Sequence, residues 1–305
     1  MPRIMSAGLM FARAGRTSNV VKLRHYNKIR PQNVIAMEMN KMSDFRFGFT
    51  RWFDNAEIVK NTGADFQEVN LGKLSDFSDE EIDALIAEAK EKGYSYEAAN
   101  CMIPGEYKLT VDNADYAEVD KYLENALSKA QRLGIKVVVM GSSGARNYPD
   151  GVSHETATER LVCFLKNHVA PACEKYGIVC ALENLSYGES NILNTIDESL
   201  AVVEAVDSPW VKILVDFYHF GFNKDSLDSV RKAKDHIVHI HVASVVNKRQ
   251  YPAPNDGEDY SVITDLLREI GYDKREGRIS FEAHMVDGQN FPDCAAGSME
   301  AFKNL

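Results

Sequence analysis

Ile213-Leu-Val-Asp-Phe-Tyr-His-Phe220 sets an apolar, partly β-branched run against an acid, Asp216, with a histidine three residues further on. A short continuous apolar run of this kind reads as a strand buried on both faces, the type found in parallel sheets. Three more stretches repeat the pattern: Ile178-Val-Cys-Ala-Leu-Glu183, Ile237-Val-His-Ile-His241 and Arg278-Ile-Ser-Phe-Glu282. Each ends on a side chain able to bind a metal, so the four predict one shared site.

Working outward, the same beat begins at residue 45. Strands are predicted over 45–50, 65–71, 94–101, 136–140, 178–183, 211–216, 236–243 and 278–283. Helical patterns fall between and after them, near 54–62, 78–93, 115–133, 154–176, 197–206, 225–234, 260–270 and 296–305. Ser78-Asp-Glu-Glu81 and Thr195-Ile-Asp-Glu198 read as capping boxes, and Gly63, Gly93, Gly134 and Gly271 as helix stops. Strands alternating with helices imply parallel pairing through right-handed crossovers. Eight such units in about 260 residues match a closed α/β (β/α)8 TIM barrel, whose usual length is about 250 residues. An open doubly wound sheet would more often carry a GxGxxG turn after its first strand, and none occurs there.

Residues 1–41 read differently. Positions 1–37 hold seven Lys or Arg and no Asp or Glu. They are read as a basic, disordered extension or a start assigned too far upstream, leaving 42–305 as a single barrel domain. The chain of 305 residues is 45% hydrophobic with a net charge of −10. That balance argues against a nucleic-acid partner, since phosphate binding draws on clustered Lys and Arg. No apolar run approaches the roughly 18 residues of a membrane span. The five cysteines show no CxxC spacing, and three lie in apolar runs that favour buried thiols. The expectation is a cytoplasmic protein.

In a barrel of this type the active site lies where strands hand over to the following loops. Glu183, Asp216, His241 and Glu282 all occupy that end, on four successive strands. A lone acid at a strand end is commonly a helix cap, but four in succession exceed that reading. His239 and His241 share a face by period-two alternation. His241, nearer the carboxyl end, is taken as the ligand and His239 as a packed or supporting histidine. Three carboxylates and an imidazole form a hard, oxygen-rich set suited to Mn2+, with Mg2+ or Co2+ as alternatives. The oxygens of a sugar would complete the coordination. Arg146, in the small-residue loop Gly141-Ser-Ser-Gly-Ala-Arg146, is placed over the mouth, where it would suit an anionic sugar or remain solvated.

These motifs resemble the xylose isomerase-like superfamily of sugar isomerases and epimerases, in particular its D-tagatose and D-psicose 3-epimerase branch. The resemblance spans about residues 45–290 and rests on Leu182-Glu-Asn184 with Glu189, Val215-Asp-Phe-Tyr-His219, His239-Ile-His241, Gly271-Tyr-Asp273 and Ser280-Phe-Glu282. It implies a divalent metal on Glu183, Asp216, His241 and Glu282. Glu183 and Glu282 would act as acid and base through an enediolate, with Glu189 and His219 at the carbonyl end of the substrate. The family's sugar-contacting arginine follows the metal histidine by six residues. Asn247 stands at that offset, and Arg249 is expected to take the role. The partner implied is a small carbohydrate, and family analogy adds a homo-oligomer. A lyase on a related keto sugar, of the inosose dehydratase or 3-oxo-glycoside deglycosidase kind, would use the same metal site and is the alternative. An endonuclease would need more histidine ligands and a basic groove.

Overall fold

The strands are short and their inward and outward faces carry different residues. β1 (Arg46–Thr50), β2 (Phe66–Asn70), β3 (Tyr96–Asn100), β4 (Val137–Met140), β5 (Val179–Glu183), β6 (Val211–Asp216), β7 (Ile237–Val242) and β8 (Arg278–Phe281) pair parallel in chain order. β8 returns to β1, with Phe47 opposite Ile279, and the sheet closes into an eight-stranded barrel. The computed structural model describes residues 45–275 and 277–305; the reading of residues 1–41 lies outside them.

Outward-facing side chains such as Val138, Met140, Leu182, Ile213, Val215, Ile240 and Phe281 join the large core between strands and helices. Inside the barrel, Val137, Val139, Ala181 and Leu214 form a separate apolar cluster. Two residues further along the same strands, Glu183 and Asp216 replace apolar side chains. The barrel interior therefore changes from apolar to polar toward its carboxyl end. Gly48 on β1 makes room for Phe66, whose ring atom would lie 2.3 Å from a Cβ at that position.

The helices follow local rules, with instructive departures. At Ser78 both arms of the capping box form, and helix Asp79–Lys92 stops on Gly93 in a left-handed conformation. At Thr195 only one arm forms: its hydroxyl accepts from Glu198 N–H, but the Glu198 carboxylate accepts from Asn194 N–H instead. The expected long helix 154–176 is interrupted by a π turn at Leu165–Val169. Pro171 follows two residues later, and its missing N–H cannot continue an α ladder. A helix at Phe217–Asn223 begins directly on Asp216, and Leu227–Lys232 follows as a separate helix. The final helix starts at Phe291 rather than near 296, capped by the Asn290 side chain. Among the described residues, no helix is long and apolar enough to cross a membrane.

Candidate active site

Four strands deliver Glu183, Asp216, His241 and Glu282 to one point at the carboxyl end of the barrel. One donor atom from each lies within 4.8 Å of the others. His241 Nδ1 stands 3.4 Å from Glu183 Oε1, 3.6 Å from Glu282 Oε2 and 3.9 Å from Asp216 Oδ2. The buried Glu183 Oε1 and His241 Nδ1 have no hydrogen-bond partner. Buried polar atoms are ordinarily paired. Two orphaned atoms within a converging set of three carboxylates and an imidazole fit a divalent cation.

The surroundings aim these groups. Asp216 divides its two oxygens: Oδ1 accepts from Tyr218 N–H (2.7 Å) and His219 N–H (3.0 Å), leaving Oδ2 toward the cluster. Asn184 holds β5 and β6 in step by accepting from Asp216 N–H at 2.9 Å and donating to Asp216 C=O at 3.3 Å. Gly141 gives the Glu183 carboxylate its space, because a Cβ there would stand 2.1 Å from Oε2.

Glu68, on β2, was not singled out from the sequence. It is wholly buried and accepts from His239 Nε2 at 2.8 Å and from His241 Nε2 at 3.0 Å. That bond occupies the far nitrogen of His241 and turns Nδ1 toward the carboxylates, as partners behind a ligand histidine commonly do. Burial alone would raise the Glu68 carboxyl, but His241 and His239 pull it down to about 2. The signal was present as an acid inside the strand Phe66-Gln-Glu-Val-Asn70. It escaped notice because Glu68 sits within the strand rather than at its end. His239 also lies against Ser280 Oγ at 3.2 Å, in keeping with a packed histidine.

Arg249 reaches the cluster from the loop after β7. Its Nη2 donates to Glu282 Oε2 at 2.5 Å and its Nη1 to Glu189 Oε1 at 3.3 Å, with the guanidinium 5.4 Å from the Tyr218 ring centroid. Lys248 and Arg249 both adopt left-handed backbone (φ 56° and 67°), the local turn that directs the side chain inward. Asn247, at the family offset, instead ties the loop together through Ser244 Oγ and Asp256 C=O, both at 3.0 Å. Asn100 on β3 donates to Glu282 Oε1 at 3.1 Å, a contact absent from the sequence reading. Burial works to raise Glu282, but His241 and Arg249 prevail and hold it well below the usual carboxylate range. Burial pushes Asp216 the other way, up to about 6, against the pull of His219.

His219 is wholly buried, and its Nδ1 accepts from Ser186 N–H at 3.2 Å. The proton therefore resides on Nε2, which faces Glu189 Oε2 at 3.8 Å and Asp216 Oδ2 at 3.9 Å without a hydrogen bond. Arg146 does not overhang the mouth. It is fully buried and donates to the carbonyls of Met140 (3.0 Å), Glu183 (2.9 Å) and Leu193 (3.3 Å), bracing the strand ends from behind. Trp52 is exposed at the rim, whereas Met102 and Ile103 are packed in the core. Cys173 and Cys180 are buried thiols, but Cys163 is exposed on its helix, contrary to the apolar run around it.

A sequence model of the family described as xylose isomerase-like TIM barrel matches residues 56–305. D-psicose 3-epimerase of Enterocloster bolteae is 23% identical over 253 residues, covering 80% of this chain and 82% of its own. D-psicose 3-epimerase of Agrobacterium fabrum is 27% identical over 220 residues, covering 71% and 74% respectively. The crystal structure of a D-psicose 3-epimerase in the presence of D-fructose superposes with a TM-score of 0.74 at 21% identity, over 85% of this chain and 97% of that one.

Proposed function

The chain belongs to the xylose isomerase-like TIM barrel family, and from that premise we propose that it is a divalent-metal-dependent epimerase of keto sugars, acting at the carbon beside the carbonyl. The observation that carries this reading is the convergence of Glu183, Asp216, His241 and Glu282 within 4.8 Å at the carboxyl end of the barrel. Relatives named D-psicose 3-epimerase support the enzyme class and a ketose substrate.

Glu183, Asp216, His241 and Glu282 would hold the cation, and the oxygen-rich set favours Mn2+. Such an ion polarises the carbonyl and so acidifies the neighbouring C–H. Glu183 and Glu282 come from β5 and the end of β8, different walls of the ring, and act as the acid/base pair. One, ionised, removes the proton, and the other, itself protonated, delivers its own proton to the opposite face of the planar enediolate, which inverts the carbon. His241 and Arg249 hold Glu282 ionised, and Asn100 orients its carboxylate by donating to Oε1. His219 Nε2–H and Glu189 meet the oxygens at the carbonyl end, and Arg249 closes over them.

The test is NMR in D2O with the Mn2+-loaded protein and a panel of keto sugars and inososes. Deuterium should enter beside the carbonyl as an epimer accumulates, and Glu183→Gln and Glu282→Gln should each lower the rate by about 10²–10⁴-fold. Exchange accompanied by loss of water or of an aglycone would instead favour a lyase.

A further inference from the structure

A cavity of ≈ 190 Å³ opens beside the metal-competent cluster, lined by Thr50, Arg51, Trp52, Asn70 and Asn100. It shares a wall with the reacting centre, because Asn100 also donates to Glu282 at 3.1 Å. Its volume is several times the roughly 30 Å³ that a water occupies in the liquid. Three of its lining residues carry buried polar atoms without hydrogen-bond partners: Thr50 Oγ1, Arg51 Nε and Asn100 Oδ1. Asn70 is different, since its side chain is already engaged in capping the helix at Leu71.

Arg51 is the unusual member. The other arginine at the site, Arg249, is paired with Glu189 and Glu282. Arg51 has no carboxylate within ion-pair distance among the described residues, and its guanidinium lies 4.3 Å from the Phe291 ring centroid. The ring takes one face of the guanidinium and the neutral Tyr251 hydroxyl lies beside its N–H edge, so that Nε keeps no partner and no anion balances the charge. The backbone on both sides is held, with Arg51 N–H on Glu68 C=O at 3.0 Å and Arg51 C=O accepting from Gln67 Nε2 at 3.0 Å. Neutral sugar hydroxyls would be served by Thr50 and Asn100 alone. They give no return for partly desolvating an unpaired cation.

We propose that the substrate carries an anionic group, carboxylate or phosphate, at the end remote from the reacting carbonyl, and that Arg51 receives it in this cavity. The proposal rests on the keto-sugar reading above and specifies the substrate class within it. The anion role that the sequence offered to Arg146 falls instead to Arg51, which lies in the loop after β1 on the β8–β1–β2 side of the mouth.

The experiment is calorimetric titration of the full-length Mn2+-loaded chain with D-fructose, D-fructose 6-phosphate and 5-keto-D-gluconate. At least one anionic sugar should bind ten-fold or more tightly than fructose. Which one does so distinguishes a phosphate from a carboxylate. Arg51→Gln should erase that preference, and Arg51→Lys should keep part of it. Equal affinity for neutral and anionic sugars, or a preference that survives Arg51→Gln, would overturn the proposal. The same samples in D2O report exchange separately. Its absence counts against the epimerase reading, whereas the affinity ratio decides the anion site.

Discussion

Gly141 shows how tightly single residues are tied to the cluster. It lies at the end of β4 and faces Glu183 Oε2 so closely that a methyl group would stand 2.1 Å from it. The encounter is with a charged side chain that Arg146 fixes from behind through the Glu183 carbonyl. Gly141→Ala should therefore displace the carboxylate and lower Mn2+ affinity by at least ten-fold, while the circular dichroism of the barrel is retained. Unchanged affinity by titration calorimetry would mean that the Glu183 carboxylate is not where the ion binds. Glu68 acts at the same scale from the opposite side. It does not join the four converging donors, but it determines which nitrogen of His241 does.

At the scale of elements, Asp216 joins a strand to a helix and serves both. Its Oδ1 caps helix Phe217–Asn223 and its Oδ2 faces the cluster. Asparagine retains the capping acceptor and loses the charge; alanine loses both. Burial raises the Asp216 carboxyl from its ordinary 3.8 to about 6. Between those two values the folded state keeps a proton that the unfolded state has released. Stability of the metal-free protein therefore falls as pH rises through that window, by about 1.4 kcal/mol for each pH unit crossed. At pH 8 in EDTA, Asp216→Asn should be as stable as the parent or more so. Asp216→Ala should fall below Asp216→Asn by about 1 kcal/mol for the lost cap. Adding Mn2+ should reverse the order in favour of the parent. Thermal unfolding with and without the metal reads all of these, and an asparagine variant weaker than the parent in both conditions would refute the assignment.

For the molecule as a whole, the cluster gathers buried charge from β5 to β8 and from β2 through Glu68, with a neutral hydrogen-bond donor, Asn100, from β3. A cation bound at that junction stabilises the folded state alone, so its contribution follows mass action. At one hundred times the dissociation constant it amounts to about 2.7 kcal/mol. For a chain of this size that corresponds to a rise in melting temperature of roughly 4–5 °C. Chelation should reverse the rise, and Glu183→Gln should abolish it. A melting temperature indifferent to both metal and chelator would remove the cation from the account.

The alternation of strand and helix, the closure into eight units and the carboxyl-end positions of Glu183, Asp216, His241 and Glu282 were legible in the sequence alone. Each is a local property: the length of an apolar run, a capping residue, the side chain on which a strand ends. Helix Phe217–Asn223 falls between the strand read over 211–216 and the helix read near 225–234, because its cap is the strand's own last residue and no separate capping signal stands before it. The partners of Glu282, by contrast, belonged to the tertiary structure. Asn100 is separated from it by 182 residues and Arg249 by 33, and Arg249 arrives only because two successive residues turn left-handed. The same holds for Arg146, which the loop sequence left free to overhang the mouth and which packing instead buries against three carbonyls. Strand ends are positioned by the barrel's own hydrogen-bond register, which the pattern encodes. The direction of a loop side chain depends on contacts from distant strands, which no local pattern contains.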